Sequence, residues 1–508
     1  MDGFDLIAVG WISILPPIIA IVLALLTKEV FSSLLIGLLS GTLIYAFNTG
    51  GNVLTAILDM FRVMADRIGA NGFMIIFLAL LGSLVVVVTM AGGSRAYGKW
   101  AAKGIKTQKG AKLATSVLGM IIFIDDYFNC LTVGTVMRPL TDQHKISREK
   151  LAYIIDATAA PICIIAPISS WAAAVASNLG EGGFNAFMQT IPYNLYALLT
   201  IAMVLVLCCT KIDFGAMRKA QLAREQSELS DEEVEGQDFD NIKTSKKGRV
   251  TDLLVPIIVL IACSILGMAY VGGFFEGVDF VEAVGADPTV GLTLGAFAAL
   301  ITALVMYLPR KLMSFRDFMG GFVQGVKSMI PAILILIFAW SLSGVCRYMI
   351  GTGEFVSQAV AASNFPLQFL PVIIFLVAAG LSFSMGTAWG TFGILLPIVM
   401  MICGGDFTNA YIVPSMAATL AGSVFGDHCS PISDTTILSS TGAKCDHIKH
   451  VSTQIPYALL VAVICAIGYL IAGFANNPWL PLGVSMAILF VVLAVIGKRN
   501  KKLDLQKN

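Results

Sequence analysis

Apolar stretches recur along nearly the whole chain, with short polar gaps between them. They fall near residues 11–27, 30–47, 72–91, 113–139, 151–177, 190–210, 253–273, 288–308, 330–350, 367–402, 409–440, 454–474 and 479–497. About 20 apolar residues span a bilayer as a helix, so the pattern predicts an all-α polytopic membrane protein. Residues 211–250 break the pattern: they are polar, mixed in charge and free of any apolar run. They read as a soluble linker between two membrane halves, and the acidic part, 225–240, reads as a solvated, disordered tether.

Lys and Arg concentrate on the cytoplasmic side of membrane proteins. The linker carries Lys211, Arg218, Lys219, Arg224, Lys243, Lys246, Lys247 and Arg249, and the tail carries Lys498, Arg499, Lys501 and Lys502. Both are expected inside, with the N-terminus outside. Basic loops around Arg95–Lys112 and Arg138–Lys150 flank the stretch 113–139. Both its ends are then cytoplasmic, so it enters and returns as a re-entrant hairpin with Asp125 and Asp126 near the tip. Between Arg347 and Lys444 there is no Lys or Arg. The stretch 367–402 then has both ends outside, and its tip is the polar segment SFSMGTAWGT, residues 382–391. Eleven spanning helices and two hairpins result.

The two halves resemble each other. SSLLIGLLSG around Gly37 matches VGLTLGAFAA around Gly295 (295 − 37 = 258), and LLGSLV around Ser83 matches FAWSLSG around Ser341 (341 − 83 = 258). TIPYNL at Ile191 matches QIPYAL at Ile455 (455 − 191 = 264). One half starts outside and the other inside, which is an inverted-topology repeat, a design common in secondary transporters. The expected organisation is a first repeat over 1–210 and the linker over 211–250. A second repeat over 251–474 and a final helix with its basic tail over 475–508 follow.

Composition narrows the function. The 508 residues are 57% hydrophobic and only 13% charged, against about 25% charged in a soluble domain; mean hydropathy is +0.84. A net charge of +1 gives no reason to expect nucleic acid. The start, MDGFDLIAVG, lacks the basic region of a signal peptide, so no cleavage is expected. The ten cysteines lie mostly in apolar segments without C-x-x-C spacing and read as small core residues. No nucleotide loop or catalytic dyad lies at membrane depth, so neither an enzyme nor a cofactor is expected.

Against that background, five aspartates stand out inside apolar stretches: Asp125, Asp126, Asp156, Asp427 and Asp434. A charge near the bilayer centre costs about 2.5–3.5 kcal/mol on insertion scales and survives mainly where it binds an ion, carries a proton or lines a polar path. The first hairpin tip adds Asn129 and Thr132. Pro161 and Pro167 should break the helix that holds Asp156, Thr158 and Ser169. The second hairpin tip offers Ser382, Ser384, Thr387 and Thr391, and Pro431 should break the helix holding Asp427, His428, Ser430, Ser433, Asp434, Thr435 and Thr436. Oxygen donors without thiolates suit hard cations, and one carboxylate holding either a metal ion or a proton is the simplest basis for exchange. Plainer readings stand beside this one. Asp125 and Asp126 are also placed to cap a helix, and Asp156, six residues past Lys150, to sit at the interface. His428 reads as a pH-sensitive group or as a neighbour of Asp427. His144, His447 and His450 read as solvated at basic ends.

The stretch GDHCSPISDTTILSSTGAKCDHIKHVSTQIPYAL, residues 426–459, resembles the NhaC-type sodium/proton antiporter family, as does FIDDYFNCLTVGTVMRPLTD, residues 123–142. The resemblance implies an ion-transporter fold of two inverted repeats, with a scaffold and a mobile transport part. The family includes Na⁺/H⁺ antiporters and members exchanging organic acids, such as malate for lactate. The leading expectation is a Na⁺/H⁺ antiporter of the bacterial cytoplasmic membrane. Asp125, Asp126 and Asp156 would form one cation/proton site. Asp427 and Asp434, with Ser430, Ser433 and Thr435, would form the other. The alternative is a Na⁺- or H⁺-coupled transporter of an organic anion or amino acid. The absence of a deep Arg or Lys in the polar segments favours the antiporter; Arg347, the nearest candidate for a substrate anchor, is placed near the outer face. The residues leave the oligomeric state open, and a fixed scaffold beside a moving part accommodates a homodimer.

Overall fold

The computed structural model describes residues 4–27, 29–123, 126–167, 169–179, 183–227, 244–361, 366–404, 409–475 and 477–505. Every regular element among them is helical. Eight helices are long and apolar enough to cross a membrane, or nine if Gly183–Tyr193 and Leu195–Cys209, bent by 47°, count as one span. The protein is a multi-pass membrane protein. The other helices are shorter because the chain reverses or breaks inside its apolar stretches.

One long helix, α1 (Val53–Ala70), falls outside the apolar stretches. Asn52 and Thr55 form a capping box at its start, and it buries only the face of Ala56, Asp59, Met60 and Val63. Spacings of three and four place these on one stripe, so no apolar run marks the helix.

The first reversal joins α2 (Gln108–Ile121) to α3 (Asp126–Gln143). Asn129 Nδ2 donates to the carbonyls of Gly119 at 2.6 Å and Ile122 at 2.7 Å. Residues ten apart in one straight helix lie about 15 Å apart, so the chain doubles back here. Next come α4 (Arg148–Thr158), α5 (Ala160–Cys163) and α6 (Ser170–Leu179), one apolar stretch interrupted twice. The helix α7 (Leu195–Cys209) ends the first half.

In the linker, Gly215–Gln226 forms a helix, α8. Its Gln221 accepts from Ser147 N and donates to Lys145 O, and Arg218 donates to Asn500. This part of the linker is therefore docked. The expected tether falls almost wholly within 228–243, outside the described residues.

The second half contains α9 (Phe315–Tyr348), α10 (Leu370–Met385), α11 (Ala388–Ile402), α12 (Ile412–Cys429), α13 (Asp434–Ala443), α14 (His447–Ala472) and α15 (Trp479–Leu505). A Cβ on Gly422 would lie 2.4 Å from Phe375 O, and one on Gly426 2.3 Å from Ala379 O. Ser430 Oγ donates to Phe383 O at 2.8 Å. Each pair is separated by the same interval (422 − 375 = 426 − 379 = 430 − 383 = 47), so α10 and α12 run parallel in close contact. The intervening α11 must then carry the chain back. The turn between α10 and α11 is Gly386, with φ +66, where a Cβ would meet Ile432 O at 2.5 Å. Only glycine avoids both the left-handed backbone cost and that collision.

Helix starts recur between the halves. Asp126 and Ala388 begin helices 262 residues apart (388 − 126 = 262); Arg148 and Ile412, and Ser170 and Asp434, do so 264 apart (412 − 148 = 434 − 170 = 264). Both α6 and α13 follow the tripeptide Pro-Ile-Ser. Ser169 Oγ accepts from Ala172 N at 3.1 Å and Ser433 Oγ from Thr436 N at 3.3 Å, so the same N-cap restarts each broken helix. The buried apolar side chains form two main cores, and α4 lies along their seam. Leu151, Ala152 and Ile155 pack into one, and Tyr153, Ile154 and Ala157 into the other.

Candidate functional site

The break between α12 and α13 comes at Pro431, which cannot continue the helical hydrogen-bond ladder. Asp427 and His428 lie on the last turn of α12, and Asp434 opens α13. Asp427 is 1% and Asp434 5% exposed. Thr435 joins them: its hydroxyl donates to Asp427 Oδ2 at 2.9 Å, and its backbone N–H donates to Asp434 Oδ1 at 2.9 Å. Tyr127, from the first hairpin, donates to Asp434 Oδ2 at 2.6 Å. Ser433 Oγ lies 3.2 Å from Thr435 Oγ1, and Ser430 ties the break to the second hairpin through Phe383 O.

Asp156 reaches the same place from the other half. Arg148 Nη1 donates to Lys444 O at one end of α4, and Thr436 Oγ1 donates to Asp156 Oδ2 at the other. The helices α4 and α13 are thus antiparallel neighbours, and the interior end of α4 meets the break before α13. Asp156 is fully buried within the protein. Gln454 Nε2 donates to its Oδ2 at 2.5 Å and to His428 O at 2.7 Å. His450 Nε2 stands 3.5 Å from Asp156 Oδ2, and His428 Nε2 3.7 Å from Oδ1. His428 Nδ1 faces the Tyr196 hydroxyl at 3.0 Å.

The two groups expected as separate sites are therefore brought together at Asp156, Asp427 and Asp434. Asp126 is buried at the start of α3, beside Tyr127. Asn129 spends both amide hydrogens on the carbonyls of Gly119, Ile122 and Thr158, so it fastens the hairpin tip to the end of α4. Thr158 turns its hydroxyl back to Ile154 O, and Ser384 to Leu381 O, so both act within their own helices. Thr387 lines a cavity that has Asp434 in its wall. Asp125 lies outside the described residues.

Several buried oxygens at this junction meet no hydrogen-bond donor: Asp427 Oδ1, Gln454 Oε1, Asn129 Oδ1 and Thr132 Oγ1. Leaving a buried polar atom unsatisfied costs about 1–3 kcal/mol. Three carboxylates also face two imidazoles, with no Lys or Arg hydrogen-bonded to any of the three among the described residues. Even with both imidazoles protonated and all three carboxylates ionised, one negative charge is left over among these five side chains. Oxygens of this kind and charge are what a hard cation or a proton requires. No group of three or more His, Cys, Asp and Glu in metal-holding geometry occurs among the described residues. A site of amide, hydroxyl and carboxylate oxygens is of a different kind.

Three histidine readings need correction. His450 is fully buried against Asp156. His447 bonds Pro431 O at 2.8 Å, and His144 bonds Ile105 O at 2.9 Å. Each stands at a helix junction rather than in solvent, because a ring nitrogen there satisfies a backbone carbonyl or hydroxyl. Gln454, Tyr127 and Tyr196 carried no signal of their own in the sequence, whereas Thr436 was among the polar residues flanking Pro431. Gln454 had one available clue, its place two residues before Pro456 in the repeated IPY motif. A further buried pair, Lys150 Nζ to Asp213 Oδ1 at 2.5 Å, lies behind the basic end of α4. Lys150 stands just before the apolar stretch 151–177, outside the polar segments that hold the aspartates.

The sequence profile of the Na⁺/H⁺ antiporter family matches residues 180–474. An uncharacterized protein of Haemophilus influenzae is 37% identical over 98% of this chain and 98% of its own length. The malate-2H⁺/Na⁺-lactate antiporter of Bacillus subtilis is 28% identical over 36% of this chain and 42% of its own. An uncharacterized Na⁺/H⁺ antiporter of H. influenzae is 28% identical over 32% and 35%. The profile match takes in more than half of the chain, and its C-terminal part holds the broken helix with Asp427 and Asp434. The chain belongs to the Na⁺/H⁺ antiporter family, whose members are membrane antiporters and not enzymes.

Proposed function

We propose that this protein exchanges Na⁺ for H⁺ across the bacterial cytoplasmic membrane, with Asp156, Asp427 and Asp434 holding the cation and the proton in turn. The observation that carries this reading is the surplus negative charge at the junction, together with the donor-free oxygens of Asp427, Gln454 and Asn129. One Na⁺ or one proton neutralises that surplus, and the two compete because they need the same oxygens. Asp126, buried at the start of α3, supplies negative potential beside the junction.

The recurrence of helix starts and of the Pro-Ile-Ser break supports two inverted repeats, 1–210 and 251–474, joined by a cytoplasmic linker, 211–250, and followed over 475–508 by a final transmembrane helix with a cytoplasmic basic tail. Transport proceeds by alternating access. The hairpins and broken helices move against the remaining helices, which are the natural dimer surface. A second reading is exchange of a small organic anion or amino acid coupled to the same ions. Two arginines in the cavity beside Asp434 favour it.

The test is purified protein in liposomes holding a pH-sensitive dye and an imposed pH gradient. Na⁺ should dissipate the gradient where K⁺ and choline do not, and Asp427→Asn should abolish the response. A correctly inserted wild-type protein that ignores Na⁺ would remove the reading.

A further inference from the structure

A cavity of about 230 Å³ lies where the C-terminal end of α9, the Gly386 turn and the end of α1 approach Asp434. Its wall includes Arg347, Arg67, Tyr127, Thr387, Trp389 and Asp434. The two guanidiniums are gathered around one ring: Arg67 lies 5.4 Å and Arg347 5.2 Å from the centroid of Tyr348. Arg67 is paired with Asp66. Arg347 makes no ion pair among the described residues, so the pair of cations carries one surplus positive charge. Trp389 Nε1 is a buried donor without a hydrogen-bond acceptor. The mouth of the cavity is therefore built for an anion, and its inner wall is a carboxylate already assigned to cations.

We propose that this cavity binds a small organic carboxylate, with the carboxylate group on Arg347 and the carbon body against Trp389 and Tyr127. A planar, forked guanidinium suits a carboxylate through two parallel hydrogen bonds. At about 30 Å³ per water, the volume equals about eight waters, which fits a solute of a similar number of non-hydrogen atoms. Arg347 and Asp434 share the cavity, so binding of anion and cation is linked. An ionised Asp434 repels the solute, whereas an Asp434 neutralised by Na⁺ leaves the cavity net positive. Linkage is reciprocal, so the solute also raises affinity for Na⁺. This inference rests on the second reading above, in that a solute is carried. A neutral amino acid would show the opposite coupling, because its ammonium group would compete with Na⁺ for Asp434.

The experiment is titration calorimetry on the full-length protein in lipid nanodiscs. The probes are malate, succinate, lactate and alanine, each in NaCl and in choline chloride. At least one of the three carboxylates should bind more tightly in NaCl. Arg347→Ala should weaken it about 10- to 100-fold, the worth of one charge-assisted pair. Arg62→Ala, on the exposed face of the same helix as Arg67, should bind as wild type does. Arg347→Lys keeps the charge without the fork and should lie between, which keeps the test decisive if the alanine variant folds poorly. The proposal is overturned if no carboxylate binds, if Arg347→Ala and Arg347→Lys both bind as wild type, or if alanine alone binds and Na⁺ displaces it. Na⁺-driven proton movement without any organic anion reads the Asp427 assignment alone, so the two readings fail separately.

Discussion

Replacing Asp427 by Asn removes one charge and almost nothing else. Asn keeps an acceptor oxygen for the Thr435 hydroxyl, now 2.9 Å from Oδ2, so the break between α12 and α13 keeps its internal bond. The other oxygen, Oδ1, meets no donor and is the one a cation would touch. A unit charge about 4 Å from a cation contributes about 4 kcal/mol at an effective dielectric of 20. Each 1.4 kcal/mol is a factor of ten, so Na⁺ affinity should fall about 1,000-fold. In the liposome assay, the Na⁺ concentration for half-maximal gradient collapse should move out of the accessible range. The melting profile of the purified protein should hardly change. A half-maximal concentration within threefold of wild type, in protein that inserts and melts normally, would refute the assignment of Asp427 as a cation ligand.

Gln454→Ala deletes the donors to Asp156 and His428 O and should cost about 2–4 kcal/mol, read as a lowered melting temperature and weakened Na⁺ response. An unchanged melt would show that water replaces both bonds. Asp213→Ala strands the buried Lys150 and should destabilise by about 3–5 kcal/mol, whereas Lys150→Met paired with Asp213→Leu should recover most of it. Thermal melts of the two single variants and the double variant decide this. Gly386→Ala places a methyl 2.5 Å from Ile432 O at φ +66 and should abolish transport by displacing the turn between α10 and α11 from the Asp434 break. Wild-type Na⁺ response in that variant would mean that the turn is not part of the transport path.

The repeated IPY motif shows where local sequence suffices. In the first half, Asn194 follows IPY; its side chain accepts from Ala197 N at 3.3 Å, and the helix ends and restarts with a 47° bend. In the second half, Ala458 stands at the matching place, and α14 runs through Pro456 unbroken. The difference between a capping and a helix-propagating residue is readable along the chain. A proline alone does not decide a break, since Pro331, Pro397 and Pro456 all stand inside continuous helices while the helix ends before Pro431. The helix α1 escaped notice because a helix that buries one stripe has no continuous apolar run.

The sequence by itself determined that this chain is a multi-pass membrane protein, and it singled out the prolines near its helix breaks and the carboxylates in its apolar stretches. These follow from costs that each residue carries alone: apolar transfer, a missing N–H, a charge in low dielectric. Only the tertiary structure decided that Asp156 comes to the break that holds Asp427 and Asp434, that His450 and Gln454 stand against Asp156, and that Arg347 lines a cavity containing Asp434. Those facts depend on α4 lying antiparallel to α13 and on the end of α9 meeting the Gly386 turn. Contacts between segments hundreds of residues apart leave no local mark, because the free energy that selects them belongs to the packed interface rather than to either segment.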